Sequence, residues 1–132
     1  LKVGAIAPDI QLDASTTLSS IKKPVLLMFG ESGCTHCKKE ALELVGYYDT
    51  WQAKKNIAVV YISLDTDKQA FKTAYQNTPW QTYCDYKGWE TQAAKDYFVN
   101  ATPTYFLLDK DLKILVHPRS LGQVDAWVHY KL

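Results

Sequence analysis

The spacing of apolar positions changes period along the chain. Val25-Leu26-Leu27-Met28-Phe29 is a continuous apolar run after Lys23-Pro24, the pattern of a strand covered on both faces. Beyond Gly30-Glu31-Ser32-Gly33, residues Ala41, Leu44, Val45, Tyr48 and Trp51 recur at helical spacing, which predicts a helix from about Cys34 toward Lys55. Asn56 ends that helix. The β-branched stretch Ile57-Ala58-Val59-Val60-Tyr61-Ile62 then reads as a second strand, completing a βαβ unit with a right-handed crossover and setting the class as α/β.

Asp67 is placed to cap a helix carrying Ala70, Phe71, Ala74 and Tyr75 on one face, closed by Asn77-Thr78-Pro79. Trp80 to Asp85 reads as a short extended piece. A further helix is predicted over Trp89 to Phe98, with Trp89, Ala93 and Tyr97 beside Ala94 and Phe98 as adjacent stripes. Thr104 to Leu108 and Leu112 to Val116 are apolar strands around Asp109-Lys110-Asp111, a hairpin signal that makes them antiparallel. Gln123 to Lys131 closes the chain as a helix with Val124, Trp127 and Val128 on one face. Ahead of the first strand, alternating pieces around Asp13-Ala14-Ser15 predict a peripheral hairpin within residues 1–21. Trp51, Trp80, Trp89 and Trp127 fall on or near these stripes and read mainly as core, Trp80 being the one that could instead reach the surface.

The length of 132 residues fits one domain, and no Gly-, Ser- or Pro-rich stretch divides it; 24–132 is the expected core and 1–21 an extension. Hydrophobic residues at 47% and charged residues at 22% belong to a folded chain, so disorder is excluded. A net charge of +1 with interspersed signs provides no basic patch for nucleic acid or anionic lipid. The longest apolar run is too short to cross a bilayer. The start at Leu1, with neither Met nor leader, reads as a mature or trimmed piece of something longer, and a monomeric domain is expected.

Three cysteines are too few to staple a chain long enough to bury its own core, so their spacing points to chemistry. A thiol attacks a disulfide as thiolate and needs a neighbour that stabilises negative charge. Cys34, at the first turn of the predicted helix, meets unpaired N–H groups and the positive end of the dipole, making it the candidate nucleophile. Cys37, one turn later and deeper, is the candidate resolving thiol. His36, between them, can donate to the Cys34 thiolate; stabilising the dithiol makes the disulfide a better oxidant. The other reading of a Cys pair at this spacing is half a zinc site, for which only Cys84 with His117, His129 or His36 could complete four ligands. With no second paired motif, redox chemistry is the better reading, and no metal or organic cofactor is required. Cys84, His117 and His129 otherwise read as ordinary packing residues.

Four pieces together resemble a family. They are Gly4-Ala5-Ile6-Ala7-Pro8-Asp9-Ile10-Gln11-Leu12, the strand before the cysteines, Cys34-Thr35-His36-Cys37-Lys38-Lys39-Glu40, and Ala101-Thr102-Pro103-Thr104. Over nearly its full length the chain resembles the thioredoxin-like proteins of the TlpA/ResA type, the extracytoplasmic branch of the thiol-disulfide oxidoreductases. The resemblance implies a thioredoxin fold with a central mixed sheet flanked by helices, and a compartment outside the bacterial cytoplasm, the periplasm above all. It implies protein thiol or disulfide substrates together with a redox donor or acceptor protein. It implies a cis Pro103 facing the cysteines, with Thr102 offering its backbone, beside Thr35, to an extended substrate segment; the plain alternative is a trans Pro opening a strand. Glu40 matches a carboxylate that handles the proton of the buried thiol, against the alternative of a solvated Glu paired with Lys38 or Lys39. Met28 stands where cytoplasmic thioredoxins keep a buried Asp.

The chain departs from that pattern at Gly33, where the family usually carries Trp, and at Leu42, where it carries Pro. A peroxiredoxin is excluded, because the Thr or Ser three places before its first cysteine and the Pro seven places before are here Glu31 and Leu27. Reductant, oxidant and isomerase remain open readings of direction. A different class of function also stands beside the enzyme: a non-enzymatic thioredoxin-like module that binds a partner within a longer polypeptide.

Overall fold

The computed structural model describes residues 1–132. Five strands, β1 Val25–Gly30, β2 Ala58–Ser63, β3 Gln81–Tyr83, β4 Thr104–Leu108 and β5 Ile114–Val116, form one sheet in the order β3-β2-β1-β4-β5. β1, β2 and β3 run parallel, while β4 and β5 pair antiparallel, so the sheet is mixed. Helices α1 Thr35–Lys55, α2 Lys68–Tyr75, α3 Gln92–Asp96 and α4 Leu121–Lys131 connect or cover it. No helix is long and apolar enough to cross a membrane.

The unbroken apolar run of β1 follows from its central position. Val25, Leu27 and Phe29 face a core completed by Ala7, Ile10 and Leu18 of the N-terminal segment and by Ala93, Ala94 and Tyr97 around α3. Leu26 and Met28 face the opposite core, built from Leu44 and Trp51 of α1 and Leu121, Val124 and Val128 of α4. Each residue of β1 is buried, so the loop that follows Gly30 hangs from the most enclosed strand of the molecule. α1 is bounded by Cys34, whose sulfur accepts the Cys37 N–H, and by Asn56, which turns into the left-handed region with its N–H on the carbonyls of Gln52 and Trp51.

Three expectations are modified. The helix over Trp89 to Phe98 is split: a 3-10 turn at Gly88–Glu90 ends at Thr91, whose extended backbone starts α3 afresh. Ala93, Ala94 and Tyr97 are buried, but Trp89 and Phe98 are exposed and take no part in the stripe. The turn before β5 is longer than the hairpin signal implied. The Asp109 carboxylate accepts the N–H groups of Asp111 and Lys113 at 2.8 and 2.9 Å, and Leu112 takes a positive φ, so pairing resumes only at Ile114. The N-terminal hairpin is reduced to a single antiparallel bridge, Gln11 to Thr17. Its chain is held by side chains instead, with Asp9 accepting from the N–H and hydroxyl of Ser19 at 2.8 and 2.6 Å. Residues 4–7 lie along β5, exchanging backbone hydrogen bonds with Leu112 and Ile114. Trp80 is core, 4% exposed, though its Nε1 finds no acceptor.

Candidate active site

The βα junction after β1 sets the two sulfurs at the mouth of α1, where they form a disulfide. The Cys34 sulfur accepts the Cys37 N–H at 3.1 Å, one of the donors a helix start leaves without a backbone partner. Cys34 is half-buried and Cys37 is 1% exposed. The asymmetry is the one expected of an attacking and a resolving thiol. It arises because Cys34 caps the helix from outside while Cys37 lies one turn in, over the sheet.

The loop between β1 and Cys34 is anchored by a group that the sequence pattern did not single out. Asp65, just after β2, is buried, and its carboxylate accepts from the Ser32 N–H at 3.1 and 3.2 Å, the Ser32 hydroxyl at 2.5 Å and the Ser63 hydroxyl at 2.5 Å. A buried carboxyl group with this many bonds has its hydrogen-bonding capacity met. Cys84, half-buried and unpaired, donates to the Asp65 carbonyl at 3.3 Å, and burial pushes its thiol pKa up. It therefore belongs to the support of the loop, and its raised pKa disfavours the reactive thiolate.

Opposite the cysteines, the Thr102–Pro103 peptide bond is cis, and the Thr102 carbonyl oxygen lies 3.7 Å from Cys34 Sγ. Thr35 and His36 are exposed on the first turn of α1, and His36 makes no hydrogen bond to either sulfur in the disulfide form. Glu40, one turn beyond Cys37, makes no hydrogen bond to Cys37 either. Burial and the charge of Glu43 raise its pKa, with the hydroxyl of Tyr105 pulling the other way. No group of three or more His, Cys, Asp or Glu side chains is arranged to hold a metal ion.

Gly33 borders a groove of about 470 Å³ that Ser32, Asp65, Asp67, Lys87 and the exposed Trp89 also line. An aromatic ring is thus present in the groove, supplied from the segment before α3. Gly30 is required for a different reason. A Cβ at that position would stand 2.1 Å from the Tyr61 hydroxyl oxygen and 3.2 Å from Cys37 Sγ, so only glycine lets β1 pass beneath them. The signal for Tyr61 was a hydroxyl in the middle of a strand buried on both faces, which must find a partner.

A parallel-antiparallel sheet with a two-cysteine disulfide capping the helix after its central strand, and a cis-proline loop against the first sulfur, defines the thioredoxin-like class. Comparison with known proteins agrees. A family model described as thioredoxin-like matches residues 22–114. A thiol-disulfide oxidoreductase from Bacteroides fragilis is 30% identical, over 80% of this chain and 81% of its own, with a TM-score of 0.70. A thiol:disulfide interchange protein from a Bacteroides species is 25% identical, over 99% and 93% of the two chains, with a TM-score of 0.82. The thioredoxin domain of a thiol-disulfide oxidoreductase from Bacteroides vulgatus, 24% identical over 97% and 99%, shares the fold with a TM-score of 0.83. No curated protein matches the sequence. The chain belongs to the thioredoxin-like family, as the resemblance of its motifs implied.

Proposed function

We propose that this chain is a protein thiol-disulfide oxidoreductase working outside the bacterial cytoplasm, in the periplasm. The observation that carries the reading is the pair of unequal sulfurs: half-buried Cys34 at a helix mouth, 3.7 Å from the Thr102 carbonyl, and enclosed Cys37 behind it. In the reducing direction the Cys34 thiolate attacks one sulfur of a partner's disulfide, forming a mixed disulfide and releasing the partner's other sulfur as thiolate. The Cys37 thiolate then attacks Cys34 Sγ, closing the internal disulfide and releasing the second partner thiolate. Two electrons pass to the partner, and run backward the same steps oxidise it. A redox donor or acceptor protein restores the starting state.

Thr102 and Pro103 present an edge of free backbone beside Cys34, suited to an extended segment of the partner, and exposed Thr35 borders it. His36, exposed on the first turn, would stabilise the Cys34 thiolate once the disulfide opens, which makes the pair more oxidising than thioredoxin, within the range from about −270 to −120 mV. Glu40, with its raised pKa, is a proton-handling group at the next turn. The closing test is capture. A Cys37→Ala variant should accumulate a partner as a mixed disulfide on Cys34, released by reductant and absent when Cys34 is also replaced. A variant that captures nothing, with a Cys34 thiol of ordinary pKa, would favour the partner-binding module.

A further inference from the structure

A buried resolving thiol has a difficulty that its partner sulfur does not: before it can attack, its proton must leave a site closed to water. Cytoplasmic thioredoxins place a carboxylate on the strand below; here that position is Met28, fully buried and unable to take a proton. Its neighbours across the sheet are both tyrosines. Met28 registers with Tyr61 on β2 and with Tyr105 on β4, so a row Tyr61–Met28–Tyr105 crosses the face that α1 covers. The Tyr105 hydroxyl is buried without a hydrogen-bond partner and looks toward Glu40. The Tyr61 hydroxyl is differently connected. It borders the same small space over Gly30 as Cys37 Sγ, and it shares a 3.1 Å hydrogen bond with the Tyr75 hydroxyl. Tyr61 is wholly enclosed, whereas Tyr75, on α2, is only partly so.

In the disulfide form no hydrogen bond joins the Tyr61 hydroxyl to Cys37 Sγ, but both border the space over Gly30, and from Tyr61 a hydroxyl bond leads on to the partly exposed Tyr75. We propose that, once the disulfide opens, Tyr61 and Tyr75 carry the proton of Cys37 between the sulfur and solvent. The proposal rests on the oxidoreductase reading and deepens it. In the resolving step the Cys37 S–H gives its proton to the Tyr61 oxygen as Tyr61 passes its own to Tyr75, and Tyr75 releases one to water. Both hydroxyls end as they began. The Cys37 electron pair forms the bond to Cys34 Sγ, the bond from Cys34 to the partner's sulfur breaks, and that sulfur leaves with its pair as thiolate. The groups facing the relay favour hydroxyls over phenolates. Burial pushes Tyr61 up to about 12 against the opposing bond from Tyr75, and the carboxylates of Asp65 and Glu31 push it the same way. Burial, Tyr61 and the same two carboxylates also raise Tyr75. Tyr61 therefore keeps an O–H to donate to the Cys37 thiolate at any working pH.

The two thiol steps can be watched separately by mixing the reduced protein with dithiobis(nitrobenzoate), which releases one coloured thiolate as Cys34 attacks and a second as Cys37 resolves. Tyr61→Phe and Tyr75→Phe each remove one oxygen and keep the ring. Both should leave the first phase at the wild-type rate. Each should slow the second phase by about tenfold to a hundredfold near neutral pH and move its pH midpoint upward. Tyr75→Phe lies nearer the surface and decides the matter if Tyr61→Phe fails to fold. A second phase within twofold of wild type in the folded variants, with an unchanged pH profile, would overturn the proposal. So would loss of the second phase in Glu40→Gln while both tyrosine variants keep it, which would give the proton to Glu40 alone. Absence of the first phase from the wild-type protein would instead sink the oxidoreductase reading, and this one with it.

Discussion

At the scale of single residues, the site is built from small distinctions between like groups. Two cysteines three positions apart differ because one caps a helix and the other lies inside it. Of three tyrosines on this side of the sheet, Tyr61 and Tyr75 share a hydroxyl-to-hydroxyl bond, while Tyr105 faces a carboxyl. That carboxyl, Glu40, has a pKa raised by burial and by Glu43, so folding makes it hold its proton more tightly than the unfolded chain does. A raised carboxyl pKa contributes stability that is fully present below the unfolded value, about 4.5, and is lost as pH climbs through the folded value. Denaturation of the wild type and of Glu40→Gln across that window should therefore show the wild type losing stability relative to the variant as pH rises. Parallel curves would mean that Glu40 feels no such environment. The pairing of the cysteines at the helix mouth and the place of Thr102-Pro103 against Cys34 agree with the positions expected from the sequence, while the roles of His36 and Glu40 stay proposals. Asp65 and Tyr75 were not legible there, because their roles come from contacts across 33 and 14 positions. No local period reveals such a pairing.

At the scale of elements, patterns read well where one period ran long and poorly where it was short. β1, β2, β4, α1 and α4 each emerged close to their expected bounds, since a run of apolar residues or a helical stripe over many positions leaves little choice of state. The segment from Trp89 to Phe98 read as one helix because its stripe was right for Ala93, Ala94 and Tyr97. Thr91 breaks it, and its buried hydroxyl donates to Asp85 at 2.7 Å, a local bond that competes with helix geometry. The longest helix is tied to the last one by a polar contact in which the buried Trp51 Nε1 donates to Asp125 at 2.8 Å, and at its end by Lys55, which donates to the Leu132 carbonyl. Asp125→Ala leaves that N–H without its acceptor and should lower stability by about 1 kcal/mol, the low end for an orphaned donor because Asp125 is half-exposed and water can reach it. Urea unfolding would show it as a lower midpoint at unchanged slope, while an unmoved midpoint would make the contact incidental.

At the scale of the whole molecule, the layout separates stability from chemistry. Both cores meet at β1, and the redox loop leaves from its C-terminal end, held by Asp65 on one side and by the Thr102–Pro103 loop on the other. The groove bordered by Gly33 and Trp89 lies on this same end. Far from it, the N-terminal segment that runs along β5 does a different job. A sheet of five strands has two margins, each a row of unpaired backbone groups that could template another copy. β3 limits one margin by its three-residue length. Residues 4–7 cover the start of the other, where the Gly4 and Ala7 N–H groups bond the Ile114 and Leu112 carbonyls and the Ile114 N–H bonds the Ala5 carbonyl. Removing residues 1–7 should leave the cysteine chemistry intact yet give a protein whose apparent mass in light scattering rises with concentration, whereas the full chain stays monomeric. If both behave alike, the margin is guarded by something else. The segment that looked like a decorative lead-in is, in these terms, a guard set at the sheet's margin against templating a second copy.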